Sequence, residues 1–284
     1  MRTSVRLAVV AAAVGVVAGA SATVSWAAVP PGYVVASSGD LNAPAGQQTA
    51  DGATCPTGTV VYGGGEYSTA TTLGASLGST FYDGDGEFDT WLNNSDPTDT
   101  TTNAYAVCAD AVAGMTVVAI HAENVAHSRL HVAPTCPTGD EVLGGATISN
   151  DTGLGERMVS SYPVKVGTGT SATYSWATDM SNTYKSTNTD MTFMAMCAPI
   201  GSIRGYQIVH GPAVTLDPLT QGNAQIACPT VKAPLSGGVR TSTKSLKLSI
   251  NSTYPFGGSW GSFVNNPTTN VEPKLTPYAV CAGH

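Results

Sequence analysis

Basic residues are missing from a long stretch of this chain. Between Arg6 and Arg129 there is no lysine or arginine, while residues 32–113 hold ten carboxylates. Charged residues make up only 11% of the sequence, and the formal net charge is −7. That balance lacks the electrostatic footprint of a nucleic-acid or anionic-membrane binder. The basic residues come late. From residue 205 onward five of them (Lys232, Arg240, Lys244, Lys247, Lys274) face two acids, Asp217 and Glu272, so a local anion could be held there.

Several other patterns are absent. After the first 20 residues no apolar run approaches the roughly 20 residues that span a bilayer. No stretch shows helical periodicity with caps. The six cysteines include no pair at chelating spacing, which excludes a zinc site. Glycine-rich steps exist, but no helix follows to turn its N-terminus on a phosphate. Gly74-Ala75-Ser76-Leu77-Gly78 has the spacing of a nucleophile elbow. That motif works only between a strand and a helix of an α/β sheet. No triad and no paired catalytic carboxylates stand out, so no catalysis and no cofactor are expected.

What is present begins with a leader. Arg2 and Arg6 precede an Ala/Val-rich stretch from Leu7 to Ala20. Ala20-Ser21-Ala22 and Ser25-Trp26-Ala27 offer small-residue cleavage sites. This order predicts a secretory signal peptide over 1–28, a secreted protein, and no membrane insertion after cleavage. Loss of the two leader arginines would move the formal charge from −7 to −9.

The rest is one pattern written three times, over 32–113, 114–204 and 205–284. Each copy has an upstream glycine strand at Gly32, Gly114 or Gly205. Each opens with Cys-Pro-Thr at Cys55, Cys136 or Cys228, and closes on Cys108, Cys197 or Cys281 inside Tyr-Ala-Val-Cys-Ala or Met-Ala-Met-Cys-Ala. Between them lie a glycine step (Gly63-Gly64-Gly65, Gly144-Gly145-Ala146, Gly237-Gly238-Val239) and a Ser-x-aromatic step (Ser79-Thr80-Phe81, Ser160-Ser161-Tyr162, Ser252-Thr253-Tyr254). The last landmark is a tryptophan, Trp91, Trp176 or Trp260, which stands 17, 21 and 21 residues before its closing cysteine. Short β-branched runs between turn residues predict an all-β fold of three homologous antiparallel repeats. The short connections at 110–113 and 199–204 favour packing around a pseudo-threefold axis; three tandem β-sandwich domains are the alternative. The glycine step predicts a bulge after the opening cysteine.

Export places the cysteines in an oxidising compartment. Equivalence of the copies then selects one connectivity: Cys55–Cys108, Cys136–Cys197 and Cys228–Cys281. The tryptophans read as core plugs of each unit, or else as a ligand platform of three sugar-stacking sites. Asp83, Asp85 and Asp89, in a Gly-punctuated acidic turn, are the candidate calcium ligands. A solvated hairpin turn is the other reading, because the equivalent turns of the other copies carry no carboxylate. His121, Glu123, His127 and His131 cluster in sequence before Cys136, with His121 and Glu123 on one strand face.

With these motifs assembled, the chain resembles an uncharacterised family of exported bacterial proteins. Their pattern is a Gly-Tyr strand, Cys-Pro-x-Gly, Gly-Gly-Gly, a tryptophan strand and Tyr-Ala-x-Cys-Ala. Departures are Val231 for glycine after Cys228, Ala146 and Val239 at the third glycine, and Met194 for the closing tyrosine. The resemblance implies export and repeat boundaries and brings no catalytic residue. In architecture the chain is similar to the three-sheet β-prism of vitelline membrane outer layer proteins. The resulting expectation is a secreted, non-catalytic structural or binding protein of the bacterial exterior, with a cell-envelope polymer or glycan as partner. A lectin-like protein with one sugar site per repeat is the alternative, and an extracellular hydrolase the second.

Overall fold

The computed structural model describes residues 29–84 and 86–283. The predicted leader and Asp85 lie outside them. Repeat one forms β1 (Val34–Ser37), β2 (Leu41–Ala43), β3 (Gln47–Thr54), β4 (Thr59–Ser68), β5 (Ala75–Tyr82), β6 (Glu87–Asn94) and β7 (Thr100–Asp110). Repeat two forms β8 (Thr116–Asn124), β9 (Ser128–Val132), β10 (Asp140–Ser149), β11 (Glu156–Val166), β12 (Thr173–Asn182) and β13 (Thr189–Pro199). Repeat three forms β14 (Gln207–His210), β15 (Val214–Thr215), β16 (Thr220–Ala227), β17 (Lys232–Thr241), β18 (Ser249–Phe256), β19 (Ser259–Asn266) and β20 (Lys274–Gly283).

The strands make three antiparallel sheets, and no sheet belongs to one repeat. The first runs β1-β7-β4-β18-β19-β16, with β2 also on β7. The second runs β3-β6-β5-β10-β13-β8. The third runs β14-β20-β17-β11-β12-β9, with β15 also on β20. Each repeat therefore divides its strands between one sheet and the next, four and three in the first and third repeats and three and three in the second, and the third repeat returns to the first. The three sheets close a pseudo-threefold ring. Tandem sandwiches would keep each repeat's strands together, so that alternative is overturned.

The joints between repeats are equivalent in detail. Single register contacts join β4 to β18 (Glu66↔Thr253), β10 to β5 (Thr147↔Thr80) and β17 to β11 (Val239↔Ser161). Beside each, a serine hydroxyl accepts a backbone N–H from the next repeat: Ser149 N to Ser79 Oγ at 3.0 Å, Thr241 N to Ser160 Oγ at 3.0 Å, Ser68 N to Ser252 Oγ at 2.9 Å. A second ring of clamps runs the same way. Gln48 Nε2 reaches the Asp151 and Gly153 carbonyls, Arg129 donates to the Thr243 carbonyl, and Gln221 Nε2 donates to the Ala70 carbonyl at 3.0 Å. Buried polar groups stabilise only when paired, and these pairings are what make ring closure specific.

Register corrects two of the sequence landmarks. The bulge of each opening strand falls between Val61 and Gly63, Val142 and Gly144, and Pro234 and Ser236. The bulged residues are Tyr62, Leu143 and Leu235, all buried, just before the glycine step. The third copy of that step is therefore Ser236-Gly237-Gly238, one residue earlier than the sequence suggested. Its first positions meet around the axis. A Cβ on Gly63 would sit 2.6 Å from Ser236 Cβ, one on Gly144 2.5 Å from the Tyr62 carbonyl, and Ser236 Oγ donates to the Leu143 carbonyl. Its middle positions, Gly64, Gly145 and Gly237, lie flat under the rings of Phe88, Trp176 and Trp260, where any Cβ would collide.

Phe88, not Trp91, is thus the first repeat's equivalent of Trp176 and Trp260. Register agrees, since Phe88 pairs with Tyr82 as Trp176 does with Pro163 and Trp260 with Pro255. The two indoles are core plugs, at 2% and 1% exposure, and their Nε1 atoms donate to Ser161 Oγ and Thr253 Oγ1, both at 2.8 Å. The disulfides are Cys55–Cys108, Cys136–Cys197 and Cys228–Cys281. Each closes a loop of 53, 61 or 53 residues, and loops of this length are stabilised by about 4 kcal/mol in the chain-entropy account.

Candidate binding faces

The alternation of side chains along a strand sends every second residue outward. On β7, Ala104 and Ala106 are buried while Tyr105 between them is half-exposed. On β4, Glu66 and Ser68 are buried while Tyr67 points out. Following the register across the first sheet gives two rows on its outer side, in which Gly65, Ser252 and Gly261 are buried between larger side chains. One reads Ser37, Tyr105, Gly65, Tyr254, Gly261, Gln225; the other Asn103, Tyr67, Ser252, Phe263, Asn223.

The rings meet because small residues lie between them. Tyr105 and Tyr254 stack over Gly65 with centroids 5.7 Å apart and planes at 28°. Tyr67 lies 4.9 Å from Tyr254 and 6.4 Å from Phe263. Phe256, 59% exposed, extends the patch 6.2 Å beyond Tyr254. Partial burial, with lesser contributions from Asp40 and Tyr67, raises the Tyr105 phenol; burial and the neighbouring tyrosines raise that of Tyr254. Both hydroxyls are held as protonated donors at neutral pH. A flat, fixed aromatic floor with an amide and hydroxyl rim can stack sugar rings and bond their hydroxyls.

The same rows exist on the other sheets with other chemistry. On the second sheet the four corresponding positions are Met194, Ile148, Phe81 and Trp91. Trp91 is half-exposed and meets Phe81 edge-on at 5.7 Å. On the third sheet they are Tyr278, Arg240, Tyr162 and Asp179. A ligand platform of Trp91, Trp176 and Trp260 is therefore corrected. Trp176 and Trp260 are buried against glycines and present no ring face, and of the three only Trp91 reaches the outside.

The other candidates fall as follows. Asp83 and Asp89 lie near enough that Asp83 is among the charges acting on Asp89. Burial first, then Glu87, Asp83 and Asp51, push the Asp89 carboxyl up to about 6. Among the described residues no group of three or more His, Cys, Asp or Glu is arranged to hold a metal, and Asp85 lies outside them. The histidine cluster is split between two sheets. His121 and Glu123 sit on β8, with His121 Nδ1 2.8 Å from Thr192 Oγ1 and Glu123 paired across from Asp190. His131 sits on β9, 2.9 Å from Asp179, and His127 occupies the intervening turn. Ser76 of the elbow-like run is 1% exposed within β5, which no helix follows.

Three buried glutamates have raised pKa values. Glu66 is fully buried and pushed up to about 7 by desolvation; the Thr90 and Thr102 hydroxyls face it without completing hydrogen bonds and offset this only in part. Glu141 and Glu156 are pushed to about 7 by the same cause. Glu156 accepts from Asn124 Nδ2 at 2.9 Å and from Thr189 Oγ1. With exposures of 0%, 3% and 1%, none of the three can meet a substrate. No protein-family model matches the chain, and no curated protein sequence matches it either.

Proposed function

We propose that this is an exported, non-catalytic binding protein that holds a polysaccharide of the cell exterior against its outer sheet faces. The observation that carries the reading is the fixed floor of Tyr67, Tyr105, Tyr254 and Phe263 on the first sheet, rimmed by Asn103 and Asn223. Three of the acids with raised pKa values, Glu66, Glu141 and Glu156, are sealed in the interior, which supports a binding role over hydrolysis at those groups. Three disulfides suit an oxidising compartment, and among the described residues no helix is long and apolar enough to cross a membrane. Export itself rests on the leader-like residues 1–28.

The test uses the full chain expressed with its leader and collected from the medium. Depletion by insoluble neutral polysaccharides is measured beside a Tyr254→Ala variant. Retention on at least one neutral polymer, lost in the variant at unchanged melting temperature, supports the proposal. Equal retention of variant and wild type overturns the first-sheet floor as the site, and absence from the medium overturns export.

A further inference from the structure

The third sheet repeats the aromatic floor but replaces its neutral neighbours with charge. Its first row on the outer side reads His210, Tyr278, Gly238, Tyr162, Ala177, with Gly238 and Ala177 buried among the larger side chains. The second reads Thr276, Arg240, Ser160, Asp179, His131. Tyr278 and Tyr162 meet over Gly238 at 5.2 Å, with planes 33° apart. His210 lies 5.7 Å from Tyr278 on the far side. The exposed Arg240 guanidinium is held 5.9 Å over the Tyr162 ring.

Acid is scarce here. Asp179 is occupied by Arg129 at 2.8 Å and by His131 at 2.9 Å. Arg240 makes no ion pair with any described residue. Lys274 lies two steps along β20 from Thr276, on the same face, and is likewise unpaired. A planar guanidinium held over a ring, exposed and free of any ion pair among the described residues, is available to a carboxylate.

We propose that this face binds an acidic polysaccharide, with Arg240 receiving a sugar carboxylate while the Tyr162 and Tyr278 rings carry the pyranose. The patch combines a cation with two ring faces of saccharide size, which a simple inorganic anion does not need. The acidic balance of the whole chain disfavours a densely charged polymer such as nucleic acid, whereas an acidic polysaccharide spaces its carboxylates one sugar apart. The proposal rests on the glycan-binding reading and assigns a substrate class to a second face.

Affinity electrophoresis through gels containing polygalacturonate tests it. The wild-type protein is expected to be retarded, and fully methyl-esterified polygalacturonate is expected to abolish the effect. Arg240→Gln, an exposed change that leaves melting intact, should weaken retention about tenfold, the value of one charge-assisted bond. Tyr254→Ala, on the first sheet, should leave polygalacturonate retention unchanged, so failure of this face and failure of the first-sheet reading are distinguishable. No retardation, equal retardation of Arg240→Gln, or equal retardation by polyphosphate or single-stranded DNA would overturn the assignment.

Discussion

Replacing Val231 by glycine should make the protein more stable, although it removes a side chain. Each repeat opens with a four-residue turn closed by the same hydrogen bond: Thr59 N to Pro56 O, Asp140 N to Pro137 O and Lys232 N to Pro229 O, all 3.0 Å. The third turn residue has positive φ in every copy: Gly58 at 92°, Gly139 at 94° and Val231 at 68°. Turns of this kind demand glycine there. A left-handed conformation costs an L-residue roughly 1–2 kcal/mol, and a β-branched one is a genuine outlier. Val231 is 48% exposed, so little packing is lost with it. Glycine gives back about 0.5–1 kcal/mol through the entropy of the unfolded chain. The net gain is about 1 kcal/mol, which in a protein of this size raises Tm by about 2–4 °C. Paired thermal and urea melts of Val231→Gly, Gly58→Val and wild type are the assay. Gly58→Val should lose stability by a similar margin. A Val231→Gly protein that melts lower than wild type, or a harmless Gly58→Val, would refute the reasoning.

Three further outcomes follow from the interior. Trp176→Ala should cost about 3–5 kcal/mol in urea unfolding, since a plug at 2% exposure leaves a cavity over Gly145; Trp260→Phe should cost much less, because Phe88 fills the same place in the first repeat. Glu66→Gln should match wild type near pH 4 and exceed it near pH 8. The folded carboxyl titrates at about 7 against an ordinary 4.5, so the native state holds a proton that the unfolded chain has lost, and wild-type stability falls as pH rises between those values. The difference is on the order of 3 kcal/mol at most, and a gap that is the same at both pH values would show that Glu66 titrates normally. Solution scattering of the leader-free protein should give a radius of gyration of about 18 Å, whereas an elongated profile would contradict the closed ring.

The threefold β architecture and the cysteine pairing were legible because both follow from repetition alone. Landmarks tied to a residue's name were less secure. Tryptophan does not align with tryptophan in the first repeat, and the spacing of 17 against 21 and 21 marks Trp91 as out of place. Phe88 fills the core position because packing selects a flat ring over glycine, not an indole. Asn94, Asn182 and Asn266 form a further repeated landmark, each six residues after its core ring. Buried, their side-chain amides donate to the carbonyls of Ala43 and Thr98, of Asn124 and Thr187, and of Asp217 and Val271, fixing the loop that follows. The outer rows were hidden for another reason. Tyr105 and Tyr254 sit inside motifs that read as scaffold, and their neighbours come from a different repeat, so no local window brings Tyr67, Tyr105 and Tyr254 together.

The three repeats also act as an internal comparison, because one geometry is built three times from different residues. Positions at the joints and beneath the core rings barely vary. Ser79, Ser160 and Ser252 are identical, and so are Gly64, Gly145 and Gly237. There a change would unseat a shared hydrogen bond or drive a Cβ into a ring. Outward positions on the same strands vary in kind: Tyr67, Ile148 and Arg240 are equivalent, as are Phe263, Trp91 and Asp179. Folding alone does not require that divergence, since all three choices sit on the same backbone. Nor does solubility, which would favour small polar residues over Trp91 or Phe256 on an outer face. One scaffold therefore presents three faces of distinct chemistry: neutral tyrosines, an apolar ring pair beside carboxylates, and arginine over tyrosine. Exchange of the outer residues between faces separates the two demands. Moving Arg240 to the place of Tyr67, with tyrosine in return, leaves every joint and core contact in place. If the faces bind, the doubly exchanged protein should carry polygalacturonate retention from the third sheet to the first while melting like wild type; if the divergence is drift, retention should not follow the arginine.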